Sequence, residues 1–135
     1  MRRRLALLCL ALCTHVQAAD CLRLTHALAK GEALSGAGLE TQACPAQPAR
    51  VLYDSDAHLV RAPRDMAAGE LIAFVPPQRL AAAVRGQAVR IEQRIGALSV
   101  TRAGTALVDA APGHAVTAMT ADGKLIRGLP LREAP

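Results

Sequence analysis

The sequence predicts a mainly β fold built of short strands and glycine turns, with at most short helices. Three observations predict it. Between Val84 and Gly128 apolar and polar residues alternate in short runs: Val89 and Ile91 with Arg90 and Glu92, then Leu98 and Val100 with Ser99 and Thr101. A period of two is the mark of a strand with one buried face. The runs are broken at Gly86, Gly96, Gly104, Pro112-Gly113 and Asp122-Gly123. Asp-Gly between strand-like runs is a strong hairpin signal, because both residue types tolerate positive φ. The third observation is a short repeat. Leu28-Ala29-Lys30-Gly31-Glu32 and Met66-Ala67-Ala68-Gly69-Glu70 share the pattern (L/M)-A-x-G-E, with their glycines 38 residues apart. Each follows a strand-like run, Leu22–Thr25 and His58–Ala62. The repeat is too limited for a solenoid.

Taken in order, the chain begins with a predicted secretory signal over residues 1–18. Arg2, Arg3 and Arg4 form its positive region, and Leu5–Cys13 an apolar stretch too short to span a bilayer. Val16-Gln17-Ala18 supplies small residues for cleavage after Ala18, with Ala19 the next choice. The alternative for this stretch is an N-terminal membrane anchor. A lipoprotein reading on Cys21 is disfavoured by Asp20 immediately before it. Secretion places the remaining chain in an oxidising compartment, with no stable membrane insertion after cleavage.

Secretion also decides how the cysteines read. Cys9 and Cys13 leave with the signal, so Cys21 and Cys44 remain as an even pair in an oxidising compartment. A Cys21–Cys44 disulfide is expected, closing a loop worth about 3 kcal/mol in the chain-entropy model. Two free buried thiols are the alternative. A metal site is not expected, since there is no C-x-x-C and His26, His58 and His114 are scattered.

Pro45–Arg50 reads as a loop, as does Val75-Pro76-Pro77-Gln78. Arg79–Val84 is either a short helix or the approach to the next strand, because six residues are marginal as a helix on their own. Leu129–Pro135 reads as a strand end followed by a frayed tail.

Composition narrows the function. The chain is 52% hydrophobic and 20% charged, which marks a globular protein. Its aromatics are Tyr53 and Phe74 alone, so the core must be aliphatic. The formal charge is +5; without Arg2–Arg4, 13 basic residues face 11 acidic ones, about +2. With neither a basic stripe nor stacking aromatics, nucleic-acid binding is excluded.

No G-x-S-x-G, H-E-x-x-H, phosphate loop or G-x-G-x-x-G occurs. Ser35-Gly36-Ala37-Gly38 lacks the lysine a phosphate loop needs and reads as a plain loop. Asp54 and Asp56 sit in Tyr-Asp-Ser-Asp, where turn chemistry outweighs an acid–base pair. His58 and His114 read as surface or turn residues, and Glu32 and Glu70 as a matched structural pair. The expectation is a non-enzyme without cofactor, whose function lies on a strand edge or an apolar groove.

Four segments in order resemble the flagellar basal-body P-ring assembly chaperone family, the FlgA-like proteins with a SAF (β-clip) domain. They are Gly86-Gln87-Ala88-Val89, Leu98 to Leu107 (LSVTRAGTAL), Pro112-Gly113-His114-Ala115-Val116, and Asp122-Gly123-Lys124-Leu125-Ile126-Arg127-Gly128. The two G-E turns extend the resemblance over about residues 22–131. Departures from the family pattern are His58, Asp122 and Ala118-Met119-Thr120.

The resemblance implies a SAF-like β-clip. Residues 1–18 are the signal, 19–57 an N-terminal SAF-like segment holding the disulfide, and 58–135 the C-terminal SAF/β-clip portion of one compact module. It implies a periplasmic chaperone for P-ring assembly whose partner is the ring subunit, bound transiently. A SAF-domain component of a pilus or secretion assembly, and a carbohydrate-binding module, are the alternatives. The candidate partner surface is the C-terminal hairpin, Lys124, Leu125, Ile126 and Arg127, with Val100.

Overall fold

The computed structural model describes residues 19–131; the stretch expected to be a secretory signal, residues 1–18, and the last four residues lie outside them. Nine strands run in chain order: β1 (Asp20–Leu24), β2 (Leu39–Ala43), β3 (Leu52–Asp54), β4 (Leu59–Arg61), β5 (Leu71–Ala73), β6 (Ala88–Ile95), β7 (Leu98–Ala106), β8 (Val116–Met119) and β9 (Leu125–Pro130). The only helical pieces among the described residues are single 3-10 turns at Gly36–Gly38 and Pro77–Arg79. The fold is therefore mainly β, as expected, and is that of a β-clip.

In the first half, β1 is the middle strand of an antiparallel sheet ordered β2–β1–β5, while β3 and β4 form a hairpin. The two G-E segments fold alike. Gly31 and Gly69 take φ of 81° and 86°, the left-handed region that glycine enters without steric cost. In each copy the Glu amide bonds back to the Ala carbonyl three residues earlier (Glu32 to Ala29, 3.0 Å; Glu70 to Ala67, 3.2 Å). In each copy the Glu carboxylate accepts the same Ala amide, at 2.9 and 3.0 Å. Glu32 and Glu70 thus have the matched structural role expected of them.

The copies face each other across a local two-fold. The Gly31 amide bonds the Ala62 carbonyl and the Gly69 amide bonds the Leu24 carbonyl, both at 2.8 Å. The core between them is made of residues related by the same 38-residue shift: Leu22 with Val60, Leu24 with Ala62, Leu28 with Met66 and Leu34 with Ile72, joined by Val75. Burying aliphatic side chains of this size is worth about 1.5–3 kcal/mol each.

The second half closes on itself: β6, β7, β8 and β9 form a four-stranded barrel in that order. Its interior holds Ala83, Ile91, Ala106, Ala110, Val116, Ala118 and Ile126. In so narrow a barrel the alanines leave the space that Ile91, Val116 and Ile126 fill. A third cluster, Ala33, Leu59, Ala81 and Ala111, joins the barrel to the first half. The segment Arg79–Val84 is extended rather than helical from Ala81 onward. Ala81 and Ala82 donate to the carbonyls of Leu34 and Ala110, and Ala110 donates back to Ala83, so tertiary partners take up the backbone groups a helix would have used.

Cys21 and Cys44 form the expected disulfide, with Cα atoms 5.1 Å apart, fastening β1 to the residue that follows β2.

Candidate partner-binding surface

The β6–β7 hairpin is the longest element and the one that positions an exposed apolar face. Its register pairs Ile95 with Leu98 around Gly96-Ala97, and continues to Ala88 opposite Thr105. Gly96 has φ of 61° and Ala97 does not share the positive φ, the arrangement of a type II′ turn. The barrel supports only the base of this hairpin. β9 pairs with β6 at Ile91 and Glu92, and β8 with β7 at Thr105 and Ala106. Beyond those rungs the hairpin runs on as a two-stranded finger.

Side chains on one face of a strand recur every second residue. The face that buries Ile91 in the barrel therefore continues through Gln93 to Ile95, and on β7 through Val100 to Leu98. At the tip this face has no cover: Ile95 is 67% exposed and Leu98 61%. Two large apolar side chains open to water at one tip make this a candidate surface for a partner. On the opposite face Glu92 accepts from Ser99 Oγ at 2.6 Å and from Arg94 Nε at 3.1 Å. Ser99 first and Arg94 second hold the Glu92 carboxyl below its ordinary value.

The C-terminal hairpin packs beside this finger. β8 and β9 pair from Val116 opposite Gly128 to Met119 opposite Leu125. Their turn closes with Gly123 at φ 80°. The Gly123 amide bonds the Thr120 carbonyl at 3.0 Å, and Thr120 Oγ1 bonds the Lys124 carbonyl and amide, both at 3.1 Å. Asp122 lacks positive φ, so the loop is a type I turn ending in a glycine bulge rather than the I′ turn Asp-Gly can form. The Asp122 carboxyl is held below its ordinary value, chiefly by the Thr120 hydroxyl.

The expected surface residues separate here. Lys124, Leu125 and Arg127 are exposed, Leu125 by 65%. Ile126 is only 4% exposed and sits in the barrel core opposite Ala118. It cannot touch a partner, because the pleat that turns Leu125 and Arg127 outward turns Ile126 in. Val100 is half-buried on the finger. Its cross-strand partner Gln93 reaches the Arg127 carbonyl at 3.1 Å, so finger and C-terminal hairpin meet at that bond. A groove of ≈ 350 Å³ lies at this junction, lined by Gln93, Ile95, Arg127 and Leu129 among others.

An ion-pair cluster that no sequence pattern announced centres on Arg61. Arg61 binds Asp54 through Nε at 2.7 Å and Asp109 through Nη1 at 2.6 Å. Asp109 also accepts the Arg85 amide at 2.8 Å. The Arg61 guanidinium, then the Ala57 amide, hold the Asp54 carboxyl below its ordinary value. Asp54 accepts the Asp56 and Ala57 amides too, so the Tyr-Asp-Ser-Asp segment does make the expected turn. The cluster ties β3 and β4 to the loop before β8, a bracing role.

His58 and His114 stack with ring centroids 5.4 Å apart. Among the described residues no three His, Cys, Asp or Glu side chains come together as metal ligands. A groove of ≈ 500 Å³ between Ser35–Ala37 and Gln87–Arg90 is lined by no carboxylate and no histidine.

A family model described as a chaperone for flagella basal body P-ring formation matches residues 19–129. The chain belongs to this family. Two crystal structures of Salmonella FlgA are similar to it. The open form is 21% identical with a TM-score of 0.38, and the closed form 20% identical with a TM-score of 0.35. Each match covers 82% of this chain and 55% or 57% of the FlgA chain, so the chain spans little more than half the length of those structures. No curated protein matches the sequence. The family role is in forming the flagellar P-ring, and within this P-ring chaperone family the described residues contain no helix long and apolar enough to cross a membrane.

Proposed function

We propose that this protein is a periplasmic, non-catalytic chaperone that binds P-ring subunits transiently before they assemble. Membership of the P-ring formation family across residues 19–129 carries the reading. The physical support is the apolar finger beside the C-terminal hairpin. Ile95 and Leu98 are exposed at the finger tip, and Lys124, Leu125 and Arg127 are exposed on the C-terminal hairpin. A small patch with a polar rim suits a contact that must be released, since tight and permanent interfaces bury larger and more apolar areas. The partner surface is then Lys124, Leu125, Arg127 and Val100 from the original set, with Ile95 and Leu98 added.

Deletion of the gene tests this reading. Basal bodies isolated from the deletion strain should lack P-rings and the cells should not swim. The wild-type gene, or excess ring subunit, should restore both. Normal rings and swimming in the deletion strain would overturn it.

A further inference from the structure

The finger has an open backbone edge as well as an open face. Ile95 and Leu98 close a two-residue hairpin, so they form a hydrogen-bonded rung, and rungs alternate in type along an antiparallel pair. Val100, Arg102 and Gly104 therefore spend their backbone groups on β6. Ser99, Thr101 and Ala103 direct theirs away from it. The barrel base confirms the alternation: Ala106 bonds Gln87 and Gly86 on the β6 side, whereas Leu107 bonds Thr117 on the β8 side. β8 reaches β7 only at Thr105 and Ala106. The outward groups of Ser99, Thr101 and Ala103 thus face an edge with no strand on it.

Natural edges are guarded by proline, lysine, bulges or shortness. Leu98–Gly104 has no proline, no lysine and no bulge, and its one charged residue is Arg102. Another open edge, the outer side of β2, is five residues long, carries Glu40 and is fastened by the disulfide. The edge of β7 is the more receptive of the two.

Charge identifies what would fit. Glu92 is engaged by Arg94, Asp122 by Lys124 and Asp109 by Arg61. Arg90, Arg102 and Arg127 are exposed and have no ion-pair partner among the described residues. The finger and its neighbour strand are therefore apolar and positively charged at once.

We infer that the chaperone holds its client by strand addition. An extended client segment that presents apolar residues followed by an acidic residue on one face pairs along the β7 edge, accepting and donating at Ser99, Thr101 and Ala103. Its apolar side chains cover Leu98 and Val100, and its carboxylate meets Arg102. The inference rests on the P-ring subunit reading for the client's identity. It explains release as well: a short edge pairing with an exposed ion pair is weakened by salt and by competition from the subunit's own neighbours in the ring.

The test uses the mature protein and purified ring subunit from the same organism. Amide hydrogen exchange is measured in the free and mixed states. Ser99, Thr101 and Ala103 should exchange fast alone and become protected in the mixture. Thr101→Pro removes an outward N–H and no β6 rung, and should weaken binding about tenfold, the equivalent of one or two edge hydrogen bonds. Arg102→Gln should weaken it similarly and reduce its salt dependence. Binding with those amides still unprotected would overturn strand addition while leaving the chaperone reading standing, and needs no variant to fold. No binding by the wild-type protein would overturn the chaperone reading itself. Protection of the same amides in the protein alone, rising with its concentration, would overturn the acidic client in favour of a second copy of this chain.

Discussion

Leu28 and Met66 donate a backbone hydrogen bond to each other's carbonyl, at 2.9 and 2.8 Å, and they occupy the same position in the two G-E repeats. They sit on the local two-fold that relates Leu22–Leu34 to Val60–Ile72. One strand-turn motif used twice therefore buries its apolar face against its own copy, which is how so small an aliphatic core is completed without aromatic residues.

This symmetry predicts equivalence at the turns. Gly31 and Gly69 hold the same left-handed conformation, and nothing lies within reach of an added Cβ at either site. The penalty for alanine is then purely conformational, about 1–2 kcal/mol. Gly31→Ala and Gly69→Ala should lower stability to urea by the same amount, within error. A marked difference would show that the two turns do not share the strain their backbones imply.

The disulfide predicts a cost without a change of shape. Cys21 is fully buried in β1 and its link to Cys44 closes a loop of sequence separation 23. Serine at both positions should cost about 3 kcal/mol, most of it through the unfolded chain. Far-ultraviolet circular dichroism should be unchanged below the new melting point, since β1 is also held by β2 and β5.

How far the sequence announced this arrangement depends on the range of the interaction. The two G-E turns, the strands that precede them, and the β6–β7 and β8–β9 hairpins are local, and each left a pattern of glycine and alternation. β2 (LETQA) did not, because its place at the sheet edge leaves every one of its side chains at least partly exposed and so no apolar period forms. The Arg61 cluster was invisible for a different reason: Asp109 lies 48 residues away and nothing in either neighbourhood signals the other. At the C-terminal hairpin the expectation that Ile126 is exposed failed on phase. Leu125 and Ile126 are adjacent and equally apolar, and only the register opposite Met119 and Ala118 decides that Ile126 goes in.

The same Arg61 cluster predicts a pH dependence. Asp54 is held below the ordinary carboxylate value of 3.8 by Arg61. A depressed folded value means that the ionised form is favoured by folding, so its contribution is complete at neutral pH. It declines as the pH drops below 3.8 and vanishes once the folded group is protonated. The gap in melting temperature between wild type and Asp54→Asn should hold steady from about pH 8 to about pH 5, then close in stronger acid. A gap that widened in acid would have the wrong sign for this mechanism.

Closure of the barrel depends on Gly128. There β9 crosses so close to β6 that an added Cβ would overlap the Glu92 carbonyl oxygen and Ile91 Cγ2. The first is backbone and cannot swing away, and the second belongs to a fully buried side chain. The seam has few rungs to spare, since β6 and β9 pair only at Ile91–Pro130 and Glu92–Leu129, followed by the Leu131 amide on the Arg90 carbonyl at 2.9 Å. Gly128→Ala should therefore destabilise by about 1–3 kcal/mol, the range for overpacking. The damage should be local first: the Leu131 amide should lose exchange protection while Leu28 and Met66 keep theirs. Gly113→Ala is the control, because Gly113 has φ of 80° and open space around it. Its cost should be conformational only, with the seam intact. If the two variants behaved alike, the close crossing of β6 and β9 would have to be abandoned as the feature that shuts the barrel.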